Sequence, residues 1–77
     1  MTTYQEDDVR SAAENGNASA QCKLGAMYNK GQGVVRDKAE AVKWYRLAAN
    51  QGNAAAQDTL GYMYQYGWGV AKTMPRQ

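Results

Sequence analysis

Apolar residues recur along this chain at the spacing of a helix face, in three separate blocks. Ala20, Leu24, Met27 and Tyr28 stand at i, i+4, i+7 and i+8, offsets that bring side chains to one side of a helix. Ala56, Leu60, Met63 and Tyr64 repeat those offsets. Between them, Ala41, Tyr45, Ala48 and Ala49 form a third stripe, with Val42 and Trp44 beside it. Lys43 and Arg46 fall between the apolar positions and are expected in solvent. The pattern predicts helices over about 17–30, 37–50 and 53–66, and an initial, more polar helix over about 3–14.

The joints between these blocks carry stop and start signals. Gly16-Asn17 and Gly52-Asn53 pair a residue that accepts the left-handed conformation closing one helix with one that caps the next. So short a joint turns the chain back on itself and makes antiparallel neighbours. The stretch Gly31-Gln32-Gly33-Val34-Val35-Arg36 reads as a loop. Asp37 with Glu40 three residues on has the form of a capping box. Gly25 and Gly61 sit inside helices, where glycine costs about 0.5–1 kcal/mol against alanine. The same phase in both copies predicts a neighbouring helix too close for a β-carbon.

These signals belong to an internal repeat. Of the nineteen positions from Gly16 to Val34, twelve return unchanged from Gly52 to Val70, thirty-six residues later. Arg10, Ala12 and Ala13 extend the match to Arg46, Ala48 and Ala49. A period of this size marks a stacked array, each unit burying its core on its neighbour. A competing pattern exists at Tyr62, Tyr64, Tyr66 and Trp68, which alternate with the period of a strand. The equivalent stretch in the first copy, 26–32, shows no alternation. Two copies of one repeat share a fold, so helix is the reading.

Composition narrows the function classes. Apolar residues make up 44% and charged residues 21% of the 77, a globular rather than disordered balance. A net charge of +2, scattered along the chain, gives no argument for nucleic acid or a membrane surface. The apolar stretches are far short of a membrane span. The polar, acidic start from Met1 to Asp8 has neither the basic nor the apolar region of a secretory signal. A cytoplasmic location is therefore expected if the chain is complete. The single Cys22 forms no internal disulfide, and as one small residue in a helix it reads as filler.

The residues resemble the Sel1-like repeats, relatives of the tetratricopeptide repeats with a longer unit. The family pattern is seen in Ala18–Gln21, Leu24–Tyr28, Gly31–Val34, Ala39–Ala49 and Gln51–Asn53. The resemblance implies an all-α, right-handed solenoid of antiparallel helix pairs. It covers residues 12–70 and departs at both ends. Asp8 stands where Trp44 stands in the full unit, which suggests a polar cap or a decayed repeat over 1–16. Residues 17–52 make a complete unit, 53–70 half of another, and 71–77 a tail that stops where the next second helix would begin. The helix over 53–66 is thus expected to lack its partner and to leave an apolar side open. Weak stability, self-association through that helix, or origin in a longer protein are the expected consequences.

Catalytic chemistry is hard to find. The chain has no histidine, the usual general base and the commonest metal ligand. Ser11 and Ser19 are not followed by a lysine at the third position, so the Ser-x-x-Lys nucleophile motif is absent. Gly31-Gln32-Gly33 is too short for a phosphate loop. No enzyme activity, cofactor or metal is expected.

What remains is a surface. Tetratricopeptide-like stacking implies that the first helix of each unit lines a concave groove. Its exposed positions would be Ser19, Cys22, Ala26, Asn29 and Lys30, then Ala55, Asp58, Tyr62, Gln65 and Tyr66. Tyr62 and Tyr66 replace Ala26 and Lys30 and lie side by side at i and i+4, while Trp68 replaces Gln32 in the loop. They form either an aromatic platform for a partner or a cover over an unpaired end. The resemblance implies a protein–protein interaction module that captures a peptide or protein surface. The alternatives are binding or hydrolysis of a β-lactam or cell-wall fragment, as labelled for cysteine-rich relatives, and a remnant without its own function.

Overall fold

The computed structural model of the chain describes residues 4–68. Its four helices are α1 (Tyr4–Glu14), α2 (Ala18–Lys30), α3 (Lys38–Asn50) and α4 (Ala54–Tyr66). The expected boundaries hold to within a residue. Among the described residues there is no strand, and Tyr62, Tyr64 and Tyr66 lie on α4. The end of the second glycine loop and the tail over 71–77 lie outside the described residues.

Side-chain caps start three helices. Asn17 Oδ1 accepts from the Ala20 N–H at 2.9 Å, and Asn53 Oδ1 accepts from Ala56 at 2.8 Å. Asp37 Oδ1 accepts from Glu40 at 3.1 Å, but the returning half of the capping box is not made. The Asp37 N–H already donates to the Tyr28 carbonyl, and the Glu40 carboxylate turns to Lys43 at 3.4 Å. Gly31 and Gly67 close α2 and α4 in the left-handed region, at φ 77° and 72°. Each N–H satisfies a free carbonyl of its helix, of Met27 and Met63.

Each helix packs chiefly against its neighbours in sequence, which makes the fold an all-α superhelix of antiparallel pairs. α3 lies in the middle of the largest apolar cluster. Its Ala41, Val42, Tyr45 and Ala48 are buried with Ala56 and Met63 of α4. Leu24 of α2 and Ala13 of α1 are buried too. Trp44 is half-buried, and its indole N–H reaches no acceptor. Polar stitches recur with the repeat. Arg10 donates to the Tyr28 hydroxyl across α1 and α2, and Arg46 to the Tyr64 hydroxyl across α3 and α4. Gln21 donates to the Ala13 carbonyl and Gln57 to that of Ala49, both at 3.1 Å.

The two helix-interior glycines, expected to be equivalent, are not. A β-carbon on Gly25 would lie 3.1–3.2 Å from three ring carbons of Tyr45. That is tighter than carbon atoms ordinarily pack, so the ring would have to give by a few tenths of an ångström, and at 3% exposure it is closely surrounded. Here glycine lets α3 approach α2. A β-carbon on Gly61 would meet nothing within 4 Å.

Opposite outcomes are therefore expected from one substitution. Gly61→Ala should raise stability by about 0.5–1 kcal/mol, the helix-interior difference between the residues. Gly25→Ala should lower it by about 1 kcal/mol, because overpacking a fixed core costs about 1–3 kcal/mol and outweighs that gain. Urea titrations of both variants check the signs. A second expectation concerns alkali. Burial, with a smaller contribution from the nearby Cys22 thiolate, pushes the Tyr45 phenol up from 10.0 to about 12. A folded-state value above the unfolded one means stability that is intact below pH 10 and lost as pH rises towards 12. Tm followed from pH 8 to pH 12 should fall above 10, and less steeply in Tyr45→Phe.

Candidate functional site

On α4, Asp58, Tyr62 and Tyr66 stand at i, i+4 and i+8 and form one ridge. All three are exposed, Tyr62 at 58% and Tyr66 at 52%. The ridge runs into the loop that Gly67 opens, where Trp68 is 45% exposed. The Tyr66 and Trp68 rings stack with centroids 5.2 Å apart and planes inclined by 26°. That spacing lies within the range of attractive aromatic pairs. Gln65 is exposed beside the ridge. The surface combines flat apolar faces with phenol, amide and carboxylate groups that donate and accept hydrogen bonds.

A cation organises the end of this surface. Lys38, the first residue of α3, places its Nζ 5.5 Å from the centre of the Trp68 ring. The same ammonium donates to Asn29 Oδ1 at 2.7 Å and to the Asn29 carbonyl at 3.4 Å. The end of α2, the start of α3 and the loop after α4 are thereby tied by one charge. Its attraction for the indole face is worth about 0.5–1 kcal/mol at an exposed site. Asn29 is thus half-buried and engaged with Lys38, while Lys30 next to it is exposed. Spacing does not reveal Lys38, since its counterparts one period away, Thr2 and Met74, are not basic.

The first unit has no such platform. Its matching positions are the half-buried Ala26 and the exposed Lys30 and Gln32. Ser19 is exposed, but Cys22 and Ala26 pack against the core cluster instead of standing free. Burial pushes the Cys22 thiol up, which disfavours the nucleophilic thiolate. Among the described residues no group of three or more His, Cys, Asp or Glu side chains is placed to hold a metal ion. No described helix is long and apolar enough to cross a membrane.

Comparison with known proteins agrees with this architecture. The sequence profile of the Sel1 repeat matches residues 18–53 and 54–72. The crystal structure of a Sel1 repeat protein from Oxalobacter formigenes superposes with a TM-score of 0.82 at 46% identity. The match covers 84% of this chain and 27% of that one. The crystal structure of c5321, a protective antigen present in uropathogenic Escherichia coli strains and displaying an SLR fold, gives a TM-score of 0.86 at 46% identity. That match covers 88% of this chain and 15% of the antigen. The chain thus spans about a quarter or less of these bacterial proteins. No curated protein sequence matches it.

Proposed function

We propose that this chain, which belongs to the Sel1 repeat family, captures a peptide or protein surface on the Tyr62–Tyr66–Trp68 platform without chemistry. Repeats of this family are generally protein-interaction modules of non-catalytic scaffold type. The observation that carries the finer reading is the exposure of three large rings on one continuous surface, two of them already stacked. Aromatic side chains give much contact area at little conformational cost, and they are enriched where proteins meet. Lys38 fixes Trp68 before any partner arrives, so less ordering is left for binding. In this reading residues 1–16 cap the array, 17–52 are the complete unit, and 53–70 present the platform. Asp58, Gln65 and Lys30 would form its polar rim, and Asn29 would act through Lys38.

The competing role of the rings is to cover an end of the array. The double variant Tyr62→Ala/Tyr66→Ala separates the two. Peptides selected from a random library on the intact chain should bind it at least ten-fold less tightly, since an aromatic anchor is worth about 1–2 kcal/mol or more. Tm should stay within a few degrees, because both rings are half in water. Unchanged peptide affinity, or a fall in Tm as large as that of a core truncation, would overturn the proposal.

A further inference from the structure

The loop after α2 folds back on the end of that helix. The Asp37 N–H donates to the Tyr28 carbonyl at 2.9 Å. A β-carbon on Gly31 would lie 3.2 Å from that of Arg36, so these two residues stand side by side. Lys38 Nζ reaches Asn29. Lys30, Arg36 and Lys38 are thereby gathered around the last turn of α2. None of the three lies within 4 Å of a described carboxylate oxygen, and the one ion pair among the described residues joins Lys43 to Glu40. Asp37, the one carboxylate between them in sequence, accepts the Glu40 N–H as the cap of α3. Three cations against that one carboxylate leave two positive charges in excess, which equals the net charge of the whole chain, +2. The excess that looks scattered along the sequence therefore has a place.

These cations adjoin the aromatic platform. Lys38 Nζ is 5.5 Å from the centre of the Trp68 ring, and that ring stacks on Tyr66. At the other end of the ridge stands the exposed Asp58, eight residues before Tyr66 and about 12 Å along α4. The platform is thus polarised, with base at one end and acid at the other. We infer, resting on the platform reading above, that the segment it captures is an acidic peptide. An aromatic or large aliphatic side chain lies on Tyr62 and Tyr66, and a carboxylate about three residues away sits among Lys30, Arg36 and Lys38. That separation follows from the steps of 5.2 Å between Tyr66 and Trp68 and 5.5 Å between Trp68 and Nζ, against about 3.3 Å per residue of extended chain. Charges at a rim select partners and speed encounter more than they add affinity. They supply the discrimination that flat rings, which accept many sequences, do not. Rings beside cations also suit single-stranded nucleic acid. Asp58 disfavours it, because a strand laid along the rings would bring phosphates against that carboxylate.

The test starts from peptides selected out of a random library on the whole chain. Their sequences should carry Asp or Glu about three positions from an aromatic or aliphatic residue. Each is then made with Glu or with Gln at its acidic positions. The Glu form should bind about five- to ten-fold more tightly at about 50 mM salt, and the gap should close at about 500 mM, where exposed charges are screened. Lys30→Gln/Arg36→Gln should remove most of the gap while keeping the helical signal and Tm, because both side chains are exposed. The same loss of charge on other exposed lysines, in Lys23→Gln/Lys43→Gln, should keep the gap. Selected peptides without acidic residues would sink the inference. So would equal binding of the two forms; if both are then lost in Tyr62→Ala/Tyr66→Ala, the platform itself stands. A gap that survives Lys30→Gln/Arg36→Gln, or tighter binding of an oligothymidylate than of the Glu peptides, also overturns it. Undiminished binding of both forms to the double tyrosine variant removes the platform reading and this inference together.

Discussion

The contact on which the rest of the array depends is the Tyr45 ring against the backbone of Gly25. It sets how closely α3 approaches α2, and α3 carries four of the six buried residues of the main cluster. A closer approach lets small residues do the work of large ones. Ala41, Ala48 and Ala56 are wholly buried although each contributes one methyl group. Their value lies in what they admit, since tight packing multiplies weak dispersion contacts. Glycine is costly inside a helix, and that cost is offset only where a ring arrives to use the space.

How far the sequence disclosed this varies with the range of the interaction. The caps at Asn17, Asp37 and Asn53 were legible, because a cap joins residues three apart. So were the left-handed joints at Gly16 and Gly52, which the repeat marked twice and whose φ values are 97° and 92°; Gly31 and Gly67 read only as loop residues, and their closing of α2 and α4 is added by the structure. The capping box was half legible, because the competitor for the Asp37 N–H is the Tyr28 carbonyl, nine residues away and in another helix. The glycine pair was half legible for the same reason. Periodicity says that Gly25 and Gly61 are alike as sequence, but which helix covers each is a tertiary fact.

The site residues divide along the same line. Exposure of Tyr62, Tyr66, Asp58 and Gln65 follows from helix phase alone. The engagement of Asn29 by Lys38, and of Lys38 by Trp68, does not, because it joins three elements and has no counterpart one period away. The Arg10–Tyr28 and Arg46–Tyr64 bonds could have been inferred. Each pair spans eighteen residues, half the period, and both partners recur, which is what a contact between stacked helices leaves in a sequence.

Contacts that run chiefly between successive helices also shape how the chain reaches its fold. No pairing waits for distant ends to meet, so the entropy of closing large loops is small and folding should be fast. The α2–α3 hairpin has everything it needs within about thirty-five residues and is the natural nucleus. α1 and α4 then add by propagation, as in a one-dimensional lattice. During synthesis that hairpin can close on the ribosome while α4 is still being made. The same order runs backwards in breathing motions, so the α4 surface proposed to meet partners is also among the first parts to open.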